Sequence, residues 1–389
     1  MSSHPVIFLA ALSLPVSAMA PAPGPASILA LEKTVPSLMR QANVPGLSLA
    51  LIRDGRIYWL KNFGIKDGIA PVTAETTFEA ASLGKTVFAY AILKLADRGK
   101  LDLDAPLARY LDAPYIDDPR LSAITARLVL SHRTGFPNWR PEGQPLVIHF
   151  APGDHFSYSG EGYVYLQKAV EHIEGRPLDD VMRELVFTPL GMTSSSYVWR
   201  ADFDASTAIG HDKTGAAKPK RKTKEAIAPA SLQTTAVDYA RFLVALLNGE
   251  GLRKETLSQM ETPATGVPLD CAVNCFDRPA ALSPDISWGL GVGLEKTAQG
   301  LALWHWGDNG PFKAYMVANP RARSGLVMFT NSQNGLSIAN EVAKTALGSD
   351  QPALSWLKDP KTALRIGRSG VGCAAASSSG SNPNSLSLR

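Results

Sequence analysis

Cysteine and histidine are scarce in this chain: 3 and 7 of 389 residues. Three cysteines are too few for a disulfide-built scaffold, and no His or Cys pair stands at zinc-ligand spacing beside them, which argues against a metal. Charge of one sign is missing too. The 39 basic residues face 35 acidic ones for a net charge of +4, so the chain lacks the global field of a nucleic-acid binder. Its one basic run, residues 218–224, reads as a solvated loop. Long apolar runs are also absent. Residues 6–16 are apolar but too few to span a bilayer, and the small residues of Val16-Ser17-Ala18-Met19-Ala20 follow them. Residues 1–20 therefore read as a secretory signal peptide cleaved after Ala18 or Ala20, with the mature protein periplasmic or secreted. In such an oxidising compartment Cys271 and Cys275 can close a small loop and leave Cys373 unpaired.

What is present is an ordinary 45% of hydrophobic residues, enough for a sizeable core. Residues 27–42 have the apolar spacing of an amphipathic helix. Two β-rich runs, 46–52 and 56–63, flank Asp54-Gly55, a strong hairpin signal. A helix over 86–98 ends at Gly99. From 101 to about 207 the pattern is helical segments and loops, with helices expected at 125–130, 162–173 and 179–186 and prolines between them. Another helix is expected at 235–247. Short apolar runs at 288–294, 301–306, 312–319 and 325–330 then bring β-structure back before a closing helix at 338–347. This order predicts an α/β fold in which helices flank a five-stranded antiparallel sheet built from both chain ends. Residues 27–100 and 230–350 would form the sheet domain, 101–229 a helical insertion, and 367–389 a disordered tail.

The segment that carries chemistry is Ser82-Leu83-Gly84-Lys85, entered by Ala80-Ala81 and followed by a helix. A serine hydroxyl attacks a carbonyl only when a neighbouring base takes its proton. Residues i and i+3 share a helix face, which sets the Lys85 amine beside Ser82, and free N–H groups of the first turn favour negative charge there. The spacing is not sufficient by itself. Roughly one or two such quartets arise by chance in a chain this long, and a second copy, Ser355-Trp356-Leu357-Lys358, lacks the small entry residues and precedes Asp359-Pro360.

Two further segments complete an acyl-transfer site. Tyr158 stands in a loop just before a helix, where its hydroxyl can enter a cleft; a Lys85 ammonium that lowered its pKa would let it exchange protons with Ser82 or a leaving group. Trp304-His305-Trp306-Gly307-Asp308 ends a β-run. If that run is a strand, His305 and Trp306 face opposite sides, one toward the site and one toward the core. Gly307 permits close approach of a substrate, and backbone N–H groups beside it can stabilise an oxyanion.

The order Ser82-x-x-Lys85, Tyr158-Ser159-Gly160, His305-Trp306-Gly307 resembles the three-motif signature of the serine β-lactamase and penicillin-binding superfamily. The branch it resembles contains class C β-lactamases, D-alanyl-D-alanine carboxypeptidases, D-aminopeptidases and family VIII carboxylesterases. Leu130-Ser131-His132-Arg133-Thr134-Gly135-Phe136-Pro137 is similar to the family's L-T-H-T-S-G-L-P, and Pro189-Leu190-Gly191-Met192-Thr193 to its P-L-G-M-T. The resemblance implies Ser82 as acyl-forming nucleophile, Lys85 as its electrostatic partner and possible base, and Tyr158 as acid/base. His305, Trp306, Gly307 and Gly160 would bind substrate, the N–H groups of Ser82 and Asp308 would form the oxyanion hole, and no cofactor or metal is implied. Gly160 replaces an asparagine that grips substrate amides in the family, and Trp306 a small hydroxyl residue. An exported hydrolase of small esters, with β-lactams as possible substrates, is therefore expected. The alternatives are a true β-lactamase or D-amino-acid-specific peptidase, and a non-catalytic penicillin- or peptidoglycan-binding module.

Overall fold

The computed structural model describes residues 23–358. The expected signal segment, the tail at 367–389 and Cys373 lie outside the described residues.

The strands are β1 (Gly46–Arg53), β2 (Arg56–Gly64), β3 (Phe78–Glu79), β4 (Gln233–Thr234), β5 (Thr265–Pro268), β6 (Leu282–Trp288), β7 (Gly293–Thr297), β8 (Gly300–Asp308), β9 (Lys313–Asn319) and β10 (Ser324–Thr330). The longer helices are α1 (Pro25–Ala42), α2 (Gly84–Asp97), α3 (Ala126–Leu130), α4 (Gly160–Glu174) and α5 (Leu178–Met182), then α6 (Phe203–Ser206), α7 (Ala236–Asn248), α8 (Lys254–Met260), α9 (Ala339–Leu347) and α10 (Pro352–Lys358). Eight strands form one sheet in the order β2-β1-β10-β9-β8-β7-β6-β5, with every neighbour antiparallel. β3 and β4 make a separate two-stranded ribbon.

The sheet thus has eight strands where the sequence pattern predicted five. The run read as one strand over 288–294 is two: Gly289 and Gly291, the latter at φ +80°, turn the chain between β6 and β7. β5 and β6 were hidden because prolines at 268 and 284 and the exposed residues of β6 break the alternation that marks a strand.

Alternation places the core on both faces. Leu47, Leu49 and Leu51 of β1 join Leu326 and Met328 of β10, Tyr315 and Val317 of β9, and Trp304 and Trp306 of β8 in a layer covered by α1, α9 and α10. The opposite face, with Ala50, Ile52, Val327, Phe329, Met316 and Leu303, packs on α2 and α7. Residues two apart on a strand share a face, so each run of large apolar side chains feeds one layer. α1 presents Leu31, Val35 and Met39, spaced four apart, to the first layer and ends at Asn43 in the left-handed region at φ +53°. α2 is buried along nearly all its length, from Gly84 to Leu93; that central helix begins at the serine quartet.

Candidate active site

The turn bearing Ser82 is fixed from several directions. Its entry is tied to β4 by the Phe78–Thr234 and Glu79–Gln233 pairs and by Ala80 N–H, which donates to Leu232 O at 2.8 Å. Ala81 then takes φ +49°, a conformation costly for a residue with a β-carbon. Residues 81–83 form a single 3-10 turn that runs into α2. Tyr197 Oη donates to Gly84 O at 2.7 Å and Tyr239 Oη to Leu83 O at 3.1 Å, so two buried phenols hold the start of the helix. Ser82 and Lys85 meet as the i, i+3 spacing predicts: Lys85 Nζ lies 2.9 Å from Ser82 Oγ and 3.0 Å from Pro229 O. The amine also stands over the rings of Tyr158 and Tyr163, 4.8 and 5.7 Å from their centroids, contacts that attract a desolvated cation.

Tyr158 is buried between rings. His132 lies 4.2 Å away centroid to centroid and Trp306 4.7 Å, with Trp288 at 5.9 Å and His305 at 6.0 Å. Its hydroxyl makes no well-formed hydrogen bond among the described residues, and its polar neighbour is the Ser82 hydroxyl. Burial pushes the phenol well above the ordinary tyrosine range, and the neighbouring Ser82 hydroxyl pulls it down by less. The apolar cage dominates here, because it penalises phenolate.

Sequence reasoning gave His132 no place in the site, although its segment was singled out. It holds Tyr158 from both flanks: Ser157 N–H donates to His132 O at 2.9 Å, and Ser159 N–H donates to His132 Nδ1 at 3.0 Å. Because Nδ1 accepts, the proton of the neutral ring is on Nε2. Burial, then the charges of Lys85 and His305, keep His132 far below the ordinary histidine range. Ser159 in turn caps α4, its Oγ accepting from Gly162 N–H at 2.9 Å.

Trp306 joins Trp304 in the first layer, as alternation along β8 has it, yet the His305 ring stays beside it. Their rings lie 5.4 Å apart at 23°, and both stand against Tyr158. Each is buried, at 0% and 4% exposure, as Lys85 and Tyr158 are. His305 Nδ1 is bonded to Trp306 O at 2.8 Å, and burial with the Lys85 charge brings His305 down to about 3. At Gly307 the close approach is made by the protein itself, since an added β-carbon would stand 2.4 Å from Ala80 O. Asn309 N–H donates to Phe312 O of the turn into β9, so by alternation the N–H of Asp308 points to the other edge of β8. β7 pairs with β8 only as far as Trp304, which leaves that edge open beside the Ser82 turn.

A comparison with protein families finds a match to the one described as beta-lactamase over residues 31–347. The chain belongs to the beta-lactamase family. This family member is a serine hydrolase by descent. It is 24% identical to penicillin-binding protein 4 of Amycolatopsis lactamdurans over 80% of this chain and 87% of that one. It is 29% identical to the esterase EstB of Burkholderia gladioli over 43% of this chain and 51% of that protein. A solved class C beta-lactamase, 20% identical, superposes with a TM-score of 0.70 over 83% of this chain and 96% of the other, a likeness of fold.

This beta-lactamase-family chain has no room for a side chain at Gly160. A β-carbon there would lie 2.8 Å from Asn138 O and 2.9 Å from the Trp139 indole, and the Gly160 N–H already donates to both Asn138 O and Asn138 Oδ1 at 3.0 Å. In the basic loop Lys218 pairs with Asp212 and Lys222 with Asp204, while Arg221 reaches the buried Glu79. The idle quartet at Ser355 sits in α10 with Ser355 exposed. The described residues hold no cluster of His, Cys, Asp or Glu suited to a metal, and none of their helices is long and apolar enough to cross a membrane.

Proposed function

We propose that this hydrolase cleaves carboxylic esters outside the cytoplasm through an acyl-Ser82 intermediate. The observation that carries the reading is the 2.9 Å approach of Lys85 Nζ to Ser82 Oγ beside the buried Tyr158. As Ser82 Oγ attacks the ester carbonyl, its proton passes to the Lys85–Tyr158 pair at Lys85, which must stand as the neutral amine for this step because Tyr158 is already protonated. The oxyanion is met by the N–H groups of Ser82 and Asp308, and the open edge of β8 supports the second donor. Tyr158, held protonated by burial, gives its proton to the leaving alkoxide and recovers one from Lys85. Water then attacks the acyl-enzyme, the pair takes the water's proton, and Ser82 leaves as its hydroxyl.

The preference for esters rests on Gly160. With the Trp139 indole where a side chain would stand, position 160 offers no carboxamide to a substrate amide, whereas an ester is a more reactive acyl donor that demands less positioning. The Cys271–Cys275 disulfide supports an oxidising compartment. A second reading, turnover of β-lactams or D-amino-acid peptides, is favoured by the match to a penicillin-binding protein over most of both chains. One experiment decides. The purified protein and Ser82→Ala are assayed on a chromogenic short-chain ester and a chromogenic cephalosporin, with intact mass followed for the acyl adduct. Faster turnover of the ester, lost in Ser82→Ala, is the expected result; a preference for the cephalosporin establishes the second reading, and an active Ser82→Ala removes the nucleophile.

A further inference from the structure

The disulfide between Cys271 and Cys275 closes a ring of five residues, and each residue from 272 to 275 touches the segment that carries Tyr158 or the loop facing it. Ala272 O accepts from Tyr158 N–H at 3.4 Å, and Val273 forms a parallel bridge with Tyr158. Asn274 Oδ1 accepts from Asn138 N–H at 2.9 Å. Cys275 N–H donates to Ser157 Oγ at 3.0 Å, and Cys275 O accepts from His155 Nε2 at 2.9 Å. Asn274 holds φ +55°, the left-handed region that asparagine tolerates in tight turns. Nothing in the sequence ties 271–275 to 155–158, more than a hundred residues earlier, apart from these contacts.

We infer that the oxidised 271–275 loop is a positioning element for Tyr158, so that turnover depends on the redox state of this disulfide. The inference rests on the reading in which Tyr158 moves protons to and from Ser82. His132 holds Tyr158 by its flanking N–H groups, and the disulfide loop takes the N–H of Tyr158 itself, so the ring is fixed from two separate segments. A dithiol reductant opens the bond by two thiol–disulfide exchanges, leaving two thiols on the protein and ending as its own disulfide. The loop then loses its closure and with it the fixed array of donors and acceptors. A five-residue ring restrains little of the unfolded chain, so its opening should be felt more in placement of Tyr158 than in global stability.

The test uses the full chain with Cys373→Ser, which leaves one cysteine pair. Dithiothreitol is added while ester turnover, tertiary circular dichroism and thermal midpoint are followed. The expected result is a fall in kcat of roughly 10- to 100-fold, the scale of a misplaced catalytic group, with KM changed less than about threefold and activity regained on reoxidation. Cys271→Ser/Cys275→Ser should start at the reduced level and ignore the reductant. Ser157→Ala, which keeps the disulfide but removes the acceptor of the Cys275 N–H, should lower kcat in the same direction. Unchanged kcat on reduction, in an enzyme that Tyr158→Phe disables, overturns the inference and leaves the proposed function standing. Wild-type turnover by Tyr158→Phe overturns the role of Tyr158 and the inference with it. Activity that falls only in step with the tertiary signal means unfolding and also overturns it.

Discussion

The Trp139 indole occupies the space that a side chain at Gly160 would need, with 2.9 Å between the ring and an added β-carbon. Gly160→Asn is therefore expected to destabilise the fold by about 1–3 kcal/mol, the range of overpacked sites, and to gain no amide recognition. Trp139→Ala with Gly160→Asn removes the indole but leaves Asn138 O 2.8 Å from the added β-carbon, so the double variant should recover only part of the stability and leave the cephalosporin-to-ester ratio little changed. Denaturant midpoints and the ratio of the two kcat/KM values check this.

Tyr158→Phe keeps the ring among His132, Trp288 and Trp306 and removes only the hydroxyl. Because the hydroxyl's polar neighbour is the Ser82 hydroxyl and no well-formed bond holds it, stability should change by about 1 kcal/mol or less. kcat on the ester should fall about 10²- to 10⁴-fold, the usual contribution of a positioned acid/base. Ser355→Ala, at the exposed second quartet, should leave both stability and turnover within error.

Protonation sets a further expectation. His132 and His305 are buried neutral, with His305 brought to about 3, while the unfolded chain takes up protons near the ordinary value of 6.5. Below 6.5 the unfolded state binds more protons, so stability falls as pH drops toward 3, by up to about 1.4 kcal/mol per pH unit for each histidine. Glu295 acts in the opposite sense. Its buried carboxyl, which accepts from Ala353 N–H, is pushed up to about 7 from 4.5, so it contributes stability that is lost as pH rises through that interval. Urea unfolding at several pH values should show the net fall below 6.5; His305→Gln should make it shallower and Glu295→Gln steeper between 4.5 and 6.5.

Asn309 ties the end of β8 to the Ser82 entry, its Nδ2 donating to Glu79 Oε2 at 2.7 Å and Ala230 O at 3.1 Å. Glu79→Ala removes one of the two acceptors of Asn309 Nδ2, beside the Asp308 N–H. A fall in kcat of about tenfold is expected, on the scale of a loosened oxyanion donor, with KM little changed; Glu79→Gln, which can still accept the bond, should restore most of it.

Local pattern made much of this legible. The i, i+3 meeting of Ser82 and Lys85, the Asp54-Gly55 hairpin and the helices α1, α2, α4, α7 and α9 follow from spacing and turn chemistry, which depend on near neighbours. What escaped depends on distant ones. Trp139 against Gly160, and His132 around Tyr158, join segments about twenty to twenty-seven residues apart through packing that no periodicity encodes. The phenol of Tyr158 rises because rings from three segments enclose it, a packing effect that the spacing of Ser82 and Lys85 does not show. β5 and β6 were missed because proline and exposed positions mask alternation at the end of a sheet.

Among the described residues the open sheet has two unpaired margins, β2 and β5, and both are poor templates. β2 offers a mostly exposed strand with Arg56 and Lys61 along it, and β5 is four residues long and closes on Pro268, which has no N–H to donate. Copies of this enzyme at high concentration should therefore resist joining strand to strand into fibres, and any assembly they form must be built from side-chain surfaces.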